Sequence, residues 1–251
     1  MTCSRNHHDQ TFSLVSGAST LGLILLAATS LFAVPLKQKD KNKVAAPATA
    51  FSPDKGKFRI VIDGKPVGSE DFELAPARDS WLVHDSTSAH SPDGTDIKAT
   101  GQLRIAPDGT PLHYEWTAQT KKKASGVVDF TGSNAKSSID LGAAAPFVQD
   151  FSFNSPRVAI LDNNLYYQYA ILALLYDRRV GGKQDFPVLI PQDSTPGSIS
   201  VESLGAQQVD GAKYDTLRVS SADLEIMLYL DANHHLARLD VPASKVTIAR
   251  E

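Results

Sequence analysis

From residue 57 onward, apolar and polar positions alternate with a period of two. Phe58, Ile60 and Ile62 alternate with Lys57, Arg59 and Asp63, the pattern of a strand buried on one face. It recurs at 67–74, 81–89, 97–106 and 112–120, where Leu112, Tyr114, Trp116 and Ala118 share a face. Further runs at 126–131, 136–141, 157–161, 184–190, 197–204, 214–220, 224–231, 235–241 and 246–249 predict strands. Asp63-Gly64, Asp93-Gly94, Asp108-Gly109 and Asp210-Gly211 punctuate these runs. Asp-Gly suits tight hairpins because both residues tolerate positive φ. Such punctuation predicts an antiparallel meander, since parallel strands need long crossovers.

One segment breaks the alternation. Residues 161–179 read LDNNLYYQYAILALLYDRR, and between 165 and 176 only Gln168 is clearly polar. Asp162, Asn163 and Asn164 suit an N-cap, Arg178 and Arg179 suit the negative end of a helix dipole, and Gly181-Gly182 suits a helix stop. The expected helix covers about 163–178. Its apolar part, about 12 residues or roughly 18 Å, is too short to cross a bilayer. A helix apolar all round is buried on most sides, and a flat sheet covers only one of them. The fold class that follows is mainly β: a curved antiparallel sheet, or unclosed half-barrel, wrapped around one central apolar helix. Either the helix fills that sheet, or the two leave an apolar cavity. Tyr166, Tyr169, Leu172, Leu175, Tyr176, Trp116 and Tyr114 are the candidates to line it.

Residues 12–36 carry no charge and are expected to form an N-terminal apolar helix. Two readings stand: a cleaved secretory signal peptide or an uncleaved transmembrane anchor. Lys37, Lys39, Lys41 and Lys43 follow, then an Ala/Pro-rich stretch, which together read as a flexible tether. The expected organisation is therefore 1–36 signal or anchor, 37–55 linker, and 56–251 one β-rich domain in the periplasm or cell envelope. Cys3, the one cysteine, precedes the apolar run. It is not placed for lipid acylation and leaves no intrachain disulfide.

Composition narrows the function classes. The 251 residues are 42% hydrophobic and 21% charged with a net charge of −3, enough for a core and the wrong sign for a nucleic-acid footprint. There is no Gly-x-Ser-x-Gly elbow, His-Glu-x-x-His pair, phosphate loop or dinucleotide fingerprint, so no cofactor is called for. His84 and His90 bracket a Ser/Thr-rich strand, and His234 and His235 are adjacent. Neighbours on a strand point to opposite faces, which disfavours a shared metal ion. Lys121-Lys122-Lys123 reads as a solvated hairpin end or a guard against edge pairing.

Three features carry a resemblance: the opening hairpin IVIDGKPVGSEDFEL, the long run of strands before a single mid-chain helix, and the closing LEIMLYLDANHHLARLDVP. Over 56–251 they resemble uncharacterised bacterial exported domains of unknown function, whose architecture is similar to the periplasmic lipoprotein-carrier half-barrels. The resemblance implies a curved antiparallel sheet around a helix, an envelope location and an apolar ligand. The expected function is a non-enzymatic envelope protein binding a lipid or other hydrophobic molecule. The alternatives are a membrane-tethered assembly module with a protein partner, and a hydrolase without a recognisable motif. The volume left between helix and sheet separates carriage from a filled core.

Overall fold

The computed structural model describes residues 51–91 and 93–251. The N-terminal apolar segment and most of the linker lie outside the described residues. Fifteen strands make up the sheet: β1 (Asp54–Ile62), β2 (Lys65–Ala77), β3 (Ser80–His90), β4 (Asp96–Ile105), β5 (Pro111–Gln119), β6 (Lys123–Thr131), β7 (Asn134–Asp140), β8 (Phe147–Ser152), β9 (Ala159–Ile160), β10 (Lys183–Ile190), β11 (Thr195–Val209), β12 (Ala212–Ser220), β13 (Glu225–Leu230), β14 (Leu236–Val241) and β15 (Val246–Arg250). One helix, α1 (Tyr167–Leu175), lies between β9 and β10. The fold begins slightly before residue 56: Phe51 is buried against Trp81, with ring centroids 5.9 Å apart, and β1 starts at Asp54.

The strand order is β8-β7-β6-β5-β4-β3-β2-β1-β15-β14-β13-β12-β11-β10-β9. This is an up-and-down meander that runs outward from the pair β1 and β15. It is joined where β1 pairs antiparallel with β15, Ile60 opposite Ile248. The two free edges, β8 and β9, are consecutive in sequence, so residues 153–158 span the seam. Every pairing is antiparallel except β9 with β10. The sheet is thus a ring opened at one place, the unclosed curved sheet expected from the pattern.

Asp63-Gly64 and Asp210-Gly211 have positive φ at both residues, the conformation that makes two-residue hairpins match strand twist. β8 falls outside the expected strands because it is an edge. Phe147 and Val148 are both exposed, so it shows no alternation. Of the expected run 157–161, only Ala159–Ile160 pairs.

About eight strands make a barrel that side chains alone can fill; a sheet of 15 strands needs more. α1 supplies it. Tyr167, Gln168, Ala170, Ile171, Leu172, Ala173 and Leu175 are all buried, and they join the core built from Phe58, Phe72, Leu228 and Leu239.

Candidate functional site

The local signals at the ends of α1 do not set its bounds. Asn164 has φ of 61°, so the left-handed turn at 164 postpones the helix, and Tyr166 is the N-cap without a side-chain cap bond. Glu70, on β2, performs the capping instead. Its carboxylate accepts from the backbone N–H of Tyr166 at 2.9 Å and of Tyr167 at 3.0 Å. Its two oxygens there meet free N–H groups that the start of a helix leaves unpaired. At the other end the helix stops at Leu175, because Tyr176 is already extended. Arg178 pairs with Asp215 and Arg179 with Asp177, so neither sits in the last helical turn.

Asp162, expected as a cap, is a buried junction. It accepts from Tyr114 Oη at 3.0 Å, Gln192 N at 2.9 Å and Asn163 N at 3.1 Å. Gln168, the lone polar residue of the helix, donates from Nε2 to Tyr114 Oη and accepts from Asp162 N. Asp85 on β3 is also buried, and neither of its carboxylate oxygens has a hydrogen-bond partner. Its Oδ1 lies over Gly101, where an added Cβ would come within 2.1 Å. Burial and the charge of Asp162 push Asp85 up to about 7. Burial pushes Asp162 up to about 6 and raises Glu70 well above the usual carboxylate range. Charged carboxylates out of water are costly, so this cluster favours its protons. It holds α1 against β2–β5, and Asp85 alone of its carboxylates borders the depression on the outer face.

Tyr114 and Trp116 project from β5 into this interior, both buried. The Trp116 indole lies over Gly126 and Phe72 stacks on Tyr167 at 4.2 Å. Leu172, Leu175 and Tyr176 are buried, with Leu175 seated over Gly109, while Tyr166 and Tyr169 are half-buried against the same core. The candidates for an apolar lining therefore surround one helix and interlock. Trp116 borders the depression on the outer face described next, and the other six candidates border neither it nor the four smaller ones among the described residues.

The largest of these depressions, about 750 Å³, lies on the opposite, outward face. It crosses β1 to β7, and its floor is backbone at Gly56, Gly101 and Gly126, whose neighbours Phe72, Asp85 and Trp116 point inward. Its walls are the alternate, outward side chains, including Asp71, His84, Thr100, Glu115, Thr117 and Asp140. Lys55 bonds Glu73 at 3.0 Å at one end. His113, just outside, is held between Asp129 and Glu115; burial opposes its charge, but the two carboxylates outweigh it and raise its pKa. Among the described residues, no group of three or more His, Cys, Asp or Glu is placed to hold a metal ion. Sequence reading misses this groove because its walls are assembled by strand register.

No family model matches the chain, and no curated protein matches it. Among solved structures it is similar to a β-barrel-like protein of the domain of unknown function DUF1849 from Brucella abortus. That likeness has 8% identity and a TM-score of 0.56, covering 81% of this chain and 97% of that one. A DUF1089 family protein from Pseudomonas aeruginosa is a looser likeness, with 11% identity, a TM-score of 0.41, and coverage of 70% of this chain and 89% of that one. The first likeness is one of fold: the chain has the architecture of a β-barrel-like domain of unknown function.

Proposed function

We propose that this chain is a non-catalytic binding module of the cell envelope. It is exported or anchored by its N-terminal apolar segment and engages its partner on the outward face of the sheet, in the groove across β1 to β7. The observation that carries this reading is the division of space. The interior is occupied by α1 and the residue pair before it, with Leu165 and, on the helix, Tyr167 and Leu172 essentially without exposure, whereas about 750 Å³ stands open on the other face, walled by polar side chains. An apolar guest inside the sheet would have to displace a helix whose N-terminus is held by Glu70, which favours a docking module over a carrier.

The test uses the full-length protein. A photo-crosslinking residue at Thr117, in the groove, should form an adduct in intact bacterial cells, discrete for a protein partner and polydisperse for a polymer, and one at Lys213, exposed on β12, should not. The same protein, purified, should carry no lipid by mass spectrometry and should not enhance a hydrophobic dye. Stoichiometric lipid together with no adduct at Thr117 would overturn the reading in favour of carriage.

A further inference from the structure

The strand register places Asp71, Ser86, Thr100, Thr117, Ser125 and Asp140 opposite one another in turn, from β2 to β7. They form one row that crosses the strands and follows the curve of the sheet, with a carboxylate at each end and four hydroxyls between. At about 4.8 Å per strand the row is about 24 Å long. Thr100 and Thr117 are locked to each other, Oγ1 to Oγ1 at 2.7 Å. Two residues along each strand runs a second row: Glu73, His84, Gln102, Glu115, Val127 and Ser138. The groove floor is the backbone between the two rows.

Building on the docking reading above, we infer that this groove binds a linear, hydroxyl-rich polysaccharide lying across the strands. A sugar chain presents hydroxyls along both flanks of every residue, and its extended repeat is close to the strand spacing. It can therefore meet hydroxyls and carboxylates on one wall and imidazole, amide and carboxylate on the other at successive strands. Other ligand classes fit less well. A lipid would find one apolar side chain in the two rows, Val127. A polyanion would meet Asp71, Glu73, Glu115 and Asp140 against Lys55 alone. An extended peptide that joins a sheet does so along a free edge. Here β2 to β6 are paired on both sides, so their backbone groups are already used.

The test is affinity electrophoresis of the full-length protein in gels containing hydroxyethyl cellulose, dextran or heparin. Retardation by hydroxyethyl cellulose, insensitive to salt, is expected. In Thr100→Val/Thr117→Val, which removes two exposed hydroxyls without touching the core, the apparent affinity should fall about tenfold, the loss of two hydrogen bonds. Lys213→Ala should bind like the unaltered protein. Retardation by heparin alone, abolished by salt, would overturn the proposal, as would equal retardation of the Val/Val variant. If no gel retards the protein while Thr117 still crosslinks to a discrete protein in cells, the polysaccharide is wrong and the docking face stands. If both fail, the docking reading fails with it.

Discussion

Asp85→Asn is expected to stabilise the protein at pH 8 and to change little near pH 4. Asp85 is buried beneath α1 with both oxygens unpartnered, and its pKa rises from 3.8 to about 7 through burial and the neighbouring Asp162. Because the folded pKa is the higher one, the folded state holds the proton over a range in which the unfolded chain has lost it. Below the unfolded value both states are neutral and no penalty exists. Stability then falls as pH rises, and the full penalty is present once the folded group ionises. A displacement of roughly 3 pH units at about 1.4 kcal/mol each is worth about 4 kcal/mol. Between pH 5 and pH 8 the share still to be lost is about 2.5 kcal/mol. Asparagine keeps the shape over Gly101 and cannot ionise. Urea unfolding followed by the fluorescence of Trp81 and Trp116, both buried, should show the variant gaining about 2.5 kcal/mol on the unaltered protein from pH 5 to pH 8. Asp162 and Glu70, also raised by burial, leave a pH dependence of their own in both proteins, so the difference between the two proteins is what reports Asp85; a difference that is the same at pH 5 and pH 8 would refute the reasoning.

Three further outcomes follow from the same packing. Glu70→Ala strands the buried N–H of Tyr167 and the part-buried N–H of Tyr166 and should cost about 2–3 kcal/mol in urea unfolding, with amide exchange rising first at Tyr166 and Tyr167. Gly101→Ala drives a Cβ to within 2.1 Å of Asp85 Oδ1 and should cost about 1–3 kcal/mol; the double variant Gly101→Ala/Asp85→Ala should recover part of that loss, a coupling read from a double-mutant cycle. Arg250 bonds Asp54 and lies 5.0 Å over the Phe72 ring. Burial opposes the charge of Asp54, but the Arg250 guanidinium outweighs it and lowers its pKa. Arg250→Met should therefore cost about 3 kcal/mol by leaving the buried Asp54 carboxylate without its counter-ion, held by Tyr167 Oη at 3.0 Å, and adding Asp54→Asn should restore much of it by the same unfolding assay.

The chain's own pattern determined all but β8 of the long strands, the paired-φ turns at Asp63-Gly64 and Asp210-Gly211, and a short helix buried over most of its surface, because period and turn chemistry are local properties. It also implied that the sheet must curve, since nothing flat could cover residues 167–175. Only the tertiary structure decided the rest. The helix start moved from the Asp162–Asn164 signals to Tyr167 because Glu70, distant in sequence, supplies the cap while Asp162 is spent on Tyr114 and Gln192. Gln168 looked like an isolated polar blemish; in the fold it links Tyr114 to the backbone of Asp162. The groove is the clearest case. Asp71, Ser86, Thr100, Thr117, Ser125 and Asp140 lie on six different strands, and nothing local connects them. Hairpin register, a relation between strands, puts them in line.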